Sequence, residues 1–435
     1  MNKLTKIKIL SKIYYNIEFL FAYHNKKNVT EQTFDDYITK VAKTKSDKDF
    51  YMCLMEFVNL YGDGHTYVKM PYKTRQKSGY FPFQFIKSEN DYYISSKPTD
   101  SAVPLYGKIE KINDKPFKEF ILELKKYIYF ENDNTYMGNI ISNLPLLLNK
   151  TNTMLVDGKL YTFRLKKSYN FKKINITTPT ICHNKSVLFC DKNIEISFFD
   201  NVLYIKILSF NDAALKDIFK NYYYQLKKAD SVIFDVRDNL GGMTDICQSF
   251  AAPFFNQEIK VMKKCTRKLD GISYATSVMI NQMPQNIVDS LIKSKMITKK
   301  EINDSINVKN KTNYRYYFCL QKPDNIYIEK PIIILTSPNS FSATCEFVAI
   351  MKNLKNVKIW GESPTCSTGT PVIIDIDDGG KCYICSVATY MADGTEFVGK
   401  GFAVDKYIVN TINDYKNNFD YVLNSAVEHL KTINI

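Results

Sequence analysis

The sequence predicts an α/β protein: a layered α/β core, preceded by an N-terminal helical region and a small α+β module. Three observations carry this reading. Apolar strands alternate with helical segments from about residue 190 onward. Residues 4 to about 60 repeat apolar side chains at helical spacing. Between them lie several short strands and one amphipathic helix. At roughly 150 residues per domain, a chain of 435 residues makes about three units.

In region 1–62, Ile13, Tyr14, Ile17, Leu20 and Phe21 recur three and four apart, as do Phe50, Met52, Cys53, Met55, Phe57 and Val58. The run stops at the glycine-punctuated Tyr61-Gly62-Asp63-Gly64. Residues 63–100 read as strands, HTYVKM, then GYFPFQFI and DYYISS separated by Ser88-Glu89-Asn90-Asp91. The module 101–175 reads as a strand, an Asn113-Asp114 turn, Pro116 and an amphipathic helix, closed by the hairpin-like LVDGKLYTFRL.

The core spans 190–435. VLYIKILSF is a buried strand, and DAALKDIFKNYYYQLKK is a helix with Asp212 as N-cap. SVIFDVR is again a strand and ends in Asn239-Leu240-Gly241-Gly242. PIIILTS runs straight into a helix from about 340 to 353, KIWGE is a further strand, and YVLNSAVEHLKTI is a terminal helix. The Lys/Asn-rich stretch 255–330 reads as an insertion over the core.

Composition excludes several classes. With 45% hydrophobic and 24% charged residues the chain is too apolar to be disordered. Lys and Arg number 59 against 45 Asp and Glu, a net charge of +14. The lysines are spread and form no single block, so no nucleic-acid partner is expected. The N-terminus carries Lys6, Lys8, Lys12, Asn16 and Glu18 where an export signal needs apolar residues, and no run approaches the ~18 apolar residues of a membrane span. The ten cysteines are then read as free thiols in a cytoplasmic protein. Cys382 and Cys385 have CxxC spacing but fall in an apparent strand without a second Cys/His pair, which reads as structure and not as a metal site. The aromatics of GYFPFQF and Trp360 read as core.

Three segments hold residues suited to chemistry. In Thr336 to Glu346 a strand meets a small-residue turn and a helix. A serine at that helix start, Ser340 or Ser342, sits where amides and dipole favour developing negative charge, although either serine also suits an N-cap. In Asp235 to Gly242 paired glycines let backbone amides face an anion, or make a plain turn. Of the four histidines, His24 and His429 read as surface residues and His183 as a loop residue. His65 sits at a tight turn entering a strand, where a side chain can be aimed into a cleft, although a histidine there also suits a purely structural part.

Together these segments resemble, in order along the chain, the tail-specific or C-terminal processing serine peptidases, and within them the tricorn-core-like branch. The likeness rests on D-x-R-x-N-x-G-G at 235–242 and S-x-S-A-x-x-E at Ser340 to Glu346. It extends to the G-E segment from Gly361-Glu362 to Gly369, to D-G-x-E-x-x-G-x-G-x-x-x-D from Asp393 to Asp405, and to the upstream Gly62-Asp63-Gly64-His65-Thr66. The resemblance implies a crotonase/ClpP-like layered core and a serine peptidase that needs no cofactor or metal. It would act on peptides or unfolded tails through an acyl-enzyme. Ser342 would be nucleophile, His65 general base and Glu396 the orienting carboxylate, with the amides of Gly241, Gly242 and Ala343 as the oxyanion hole. The Ser–Lys branch carries a lysine 25 positions after the serine, where this chain has Ser367. Asp63, Asp238 and Ser367 are candidates for supporting that site, although both aspartates also suit a plain turn-forming part. Gly107 to Pro116 resembles, more faintly, a PDZ-like module, without a G-L-G-F-type loop. The alternative is a non-catalytic ligand- or peptide-binding protein on the same fold.

Overall fold

The computed structural model describes residues 1–23, 29–131, 135–167, 173–175, 184–268, 275, 278–280, 282–309, 313–376 and 379–433. His24, Cys182 and His183 lie outside them. The chain forms two compact units. Met1–Met70, Lys263–Phe318 and Gly369–Tyr390 make the first, and Pro71–Met262, Cys319–Thr368 and Met391–Ile435 the second. Among the described residues no helix is long and apolar enough to cross a membrane.

The first unit opens with three helices, Lys3–Leu20, Glu31–Lys43 and Asp47–Asn59. Each starts on a side-chain cap, Asn2, Thr30 and Ser46, the last in a capping box with Asp49. Their apolar faces meet around Tyr14 and Phe34, whose rings stack 4.1 Å apart. Strand Tyr67–Lys69 pairs antiparallel with Gly380–Cys385, setting Tyr67 opposite Tyr383 with stacked rings. Cys382 and Cys385 are buried on that strand as free thiols, and burial pushes the Cys382 thiol up to about 12.

Within 255–330 the expected polar cover is regular structure. Strands Ile259–Arg267 and Tyr314–Gln321 flank the helices Gln285–Lys293 and Lys299–Lys309. Lys260, Lys263 and Lys264, interspersed along Ile259–Arg267, hide the buried set Val261, Met262 and Cys265 from a composition reading.

The second unit is built on a seven-stranded sheet. Its order is Lys406–Tyr407, Val357–Gly361, Ile332–Thr336, Ser231–Asp235, Val202–Ile207, Ile194–Phe199 and Lys185–Cys190. The first five run parallel, Ile194–Phe199 runs against them, and Lys185–Cys190 pairs antiparallel to that strand and so follows the first five again. Successive side chains of a strand face opposite sides, so a fully apolar strand serves two cores. Ile332 and Ile334 pack beneath the helices Leu215–Asn221, Thr244–Ala251 and Ala343–Met351, while Ile333 and Leu335 pack beneath the terminal helix Tyr421–Ile433. Trp360 is buried in the second of these cores, against the ring of surface His429.

Two further elements differ from the sequence reading. GYFPFQFI starts its strand only at Gln84, because Pro82 has no N–H to give a ladder, and a short helix, Tyr72–Ser78, precedes it. Tyr80, Phe81, Phe83 and Phe85 are nonetheless buried, as expected of core. The helix after Asp212 is two helices, Leu215–Asn221 and Tyr223–Lys228, broken at Tyr222.

Candidate active site

Ser342 lies in the second unit at the junction of strand Ile332–Thr336, a five-residue-turn sequence and helix Ala343–Met351. Its backbone sits at φ 58° and ψ −125°, a region that costs a residue with a Cβ about 1–3 kcal/mol. Its side chain makes no capping bond, although it occupies the N-cap position. Ser340 takes the purely structural part. Fully buried, it donates to the Val236 carbonyl at 2.7 Å and accepts from the Ser337 amide at 3.1 Å. These bonds pin the turn to the end of the neighbouring strand.

Two loops lock Ser342 in that backbone. Its amide donates to the Ser367 carbonyl at 3.1 Å. From the other side the Asn239 carbonyl accepts from the Phe341 amide and from Thr344 Oγ1, both at 3.0 Å. The glycine loop then closes against the serine. Gly241 has φ 101°, and a Cβ there would fall 2.6 Å from Ser342 Cβ and 2.9 Å from the Ala343 nitrogen. We therefore expect Gly241→Ala to lower turnover of a peptide substrate by roughly 10²–10³-fold, through displacement of the serine and its neighbouring amide. The urea midpoint of the same variant should show a loss of about 1–3 kcal/mol.

Of the three amides the sequence points to, that of Gly241 donates to Asn239 Oδ1 at 2.8 Å. The amides of Gly242 and Ala343 make no hydrogen bond among the described residues. Ala343 opens a nine-residue helix whose dipole adds to the attraction for an anion.

Buried Glu346 braces this arrangement from the helix interior. Its carboxylate accepts from Thr244 Oγ1 at 2.6 Å and from Thr368 Oγ1 at 2.8 Å, joining three segments. Buried Glu131 accepts from the Cys366 amide at 3.0 Å. Sequence reasoning assigned no role to Asn239, Glu346 or Glu131. The first two stand inside recognisable motifs, but their partners lie about 100 residues away in the chain. For Glu131 no local signal exists.

The other candidates fall as follows. Glu396 is half-buried in the second unit and ion-paired with Lys400 at 3.0 Å. It precedes Phe397 of the core, and the Gly399 amide donates to the Cys366 carbonyl, which ties this segment to the loop that holds Ser342. Asp238 is exposed, 3.8 Å from Lys206, and accepts from Asn339 Nδ2 at 3.4 Å. His65 belongs to the first unit and is buried. Asp63 shapes its turn by accepting from the His65 amide at 3.0 Å and from Thr66 Oγ1 at 2.8 Å, while Thr66 Oγ1 accepts from the Cys385 amide. Thus the structure groups Ser342 with Gly241, Ala343 and Ser367.

Residues 201–408, which hold the serine turn, the glycine loop and the Glu396 segment, match the model described as Peptidase family S41. Over these residues the chain is of this family, the C-terminal processing peptidases. It is a serine peptidase on a layered α/β core, and its substrates are peptides or proteins. No curated protein sequence matches this S41 chain. Among solved structures it is similar to mature CPAF, 13% identical over 99% of this chain and 96% of that one, with a TM-score of 0.67. It is similar also to a putative peptidase from Parabacteroides merdae, 15% identical over 99% and 97% of the two chains, with a TM-score of 0.55. At these identities the likeness to both is one of fold.

Proposed function

We propose that this S41 peptidase cleaves through an acyl-enzyme in which Ser342 is the nucleophile, His65 the general base and Glu396 the carboxylate that orients it. Ser342 Oγ attacks the scissile carbonyl carbon while its proton passes to the imidazole, and the departing amine takes that proton. Water then repeats the sequence in reverse roles and releases the acid. A carboxylate on the far imidazole nitrogen holds the tautomer and offsets the imidazolium charge.

The observation that carries the reading is the strained Ser342 backbone at a helix start, where the side chain makes no capping bond, the adjacent Ala343 amide is unengaged, and Gly241 of the loop closes against the serine. We assign the oxyanion hole to the Ala343 and Gly242 amides, with Gly241 supplying the close approach and Asn239 holding the loop. The absence of lysine at position 367 favours a histidine base over a Ser–Lys dyad. The antiparallel sheet of Lys115–Pro116, Ile109–Ile112, Thr151–Val156 and Lys159–Arg164, with helix Phe117–Leu124, supports reading 101–175 as the PDZ-like module. The nine described cysteines, all free thiols, support a reducing, cytoplasmic setting.

Labelling by a fluorophosphonate tests the nucleophile: wild type should label and Ser342→Ala should not. Equal labelling of both removes Ser342 from that role. For the base, His65→Ala should lower peptide turnover by about 10²–10⁴-fold, and an unchanged rate would assign the proton transfer elsewhere.

A further inference from the structure

The Ser337-Pro338-Asn339 turn lines a cavity of about 770 Å³ in the second unit, within the size range of small-ligand sites. Its walls mix apolar side chains such as Phe85, Ile141 and Leu423 with charged ones. Most of those charges are already matched. Lys185 pairs with Glu195 at 2.6 Å, Lys206 lies 3.8 Å from Asp238, and Arg237 pairs with Asp420 at 2.7 Å. Lys87 and Glu89 are exposed to water.

Glu362 is the exception. It lines the cavity, is half-buried, and its carboxylate has no hydrogen bond or ion pair among the described residues. Its backbone is fixed on both sides by Thr336, whose carbonyl accepts from the Glu362 amide and whose Oγ1 donates to the Glu362 carbonyl. Burial pushes the carboxyl above its usual range, and Lys87 acts against this only through space. Tyr407, opposite Gly361 in the parallel ladder, lines the same cavity and presents an aromatic ring near that carboxylate. A desolvated carboxylate beside a phenol ring and apolar walls complements a cation that carries its own apolar stem.

We propose that this cavity binds a primary ammonium on an aliphatic stem, with Glu362 as counter-ion and Tyr407 beside it. The ammonium is that of a lysine side chain in a peptide or of a free aliphatic diamine. In the peptide case the cavity is a specificity subsite, because its Ser337–Asn339 wall belongs to the same turn that carries Ser342; that arm alone rests on the proposed nucleophile.

Calorimetric titration of the full chain with hexylamine and with 1-hexanol tests the site without any cleavage, so its outcome is separate from the catalytic reading. Hexylammonium should bind saturably and at least about tenfold more tightly than hexanol, and Glu362→Gln should erase that difference. Equal binding of the two probes, or an undiminished preference in Glu362→Gln, overturns the proposal. Ile141→Trp, which fills the cavity without touching Glu362, should abolish hexylamine binding at an unchanged melting temperature; retained binding would place the amine elsewhere and overturn it also. The source is then read with Ser342→Ala protein. Tighter binding of a lysine peptide than its norleucine counterpart supports the subsite, and tight binding of pentane-1,5-diamine without that preference supports a free diamine.

Discussion

Ser342→Ala is expected to lower peptide turnover by roughly 10⁵–10⁶-fold, because a nucleophile and its base act as a unit and the loss of one member removes the covalent route. What survives is the background from substrate binding and the oxyanion amides, about 10³–10⁴-fold over water in comparable systems. Stability separates this result from misfolding. The Ser342 side chain caps nothing, and alanine meets the same strain as serine at φ 58°. The urea midpoint should therefore move by no more than about 1 kcal/mol, the net worth of one side-chain hydrogen bond. Ser342→Gly sharpens the test. Glycine tolerates positive φ, so this variant should be more stable by about 1 kcal/mol while remaining as inactive as the alanine protein. A serine conserving strain for reactivity and a serine merely ending a strand predict different results here. If both variants retain turnover, the strained position has another purpose.

How much of this was legible in the sequence depends on the range of the interactions. Ile332 to Leu335 announces a strand buried on both faces, and the structure divides that run between two cores. The helix after Ser342 is equally visible, because its apolar run follows a small-residue turn without interruption. The positive φ of Ser342 is invisible, since the residues that impose it, Asn239, Gly241 and Ser367, arrive from loops distant in the chain. The motif points to Gly241, yet in the folded loop its amide is already committed to Asn239 Oδ1, and it is the Gly242 and Ala343 amides that have no partner among the described residues. The strand break at Pro82 was written in the sequence and outweighed by the aromatics around it. Glu131 shows the limit, as a carboxylate whose bond to Cys366 spans 235 positions has no local pattern.

Arg237→Met is expected to be the most destabilising single substitution in the second unit, by about 3–5 kcal/mol in urea unfolding. Arg237 follows the strand Ser231–Asp235 and its guanidinium grips two carboxylates at once. It bonds Asp235 through Nε at 2.9 Å and Nη2 at 2.6 Å, and Asp420 through Nη1 at 2.9 Å and Nη2 at 2.7 Å. Asp420 in turn accepts from the Leu423 amide at the start of the terminal helix, so the arginine fastens that helix to the sheet. Asp235 also accepts from Tyr204 OH at 2.9 Å and is 1% exposed. Methionine would leave both carboxylates buried without their cation, which costs far more than the net worth of the intact pair. The pH dependence supplies the diagnostic sign. Burial alone would raise the Asp235 carboxyl, but Arg237 overrides this and holds it at about 2. A carboxyl lowered on folding stabilises above its unfolded value, near about 4, and that contribution fades as pH falls toward 2. Without Arg237 burial dominates, the folded value rises above the unfolded one, and acid should favour the native state of the variant at this site. Urea midpoints should therefore fall from about pH 5 to about pH 3 in the wild type more steeply than in Arg237→Met. Asp235→Asn added to Arg237→Met should recover part of the loss, because it removes the stranded charge while keeping a hydrogen-bond acceptor for Tyr204. Parallel pH profiles, or no recovery in the double variant, would mean that the arginine acts through packing and not through the charges it holds.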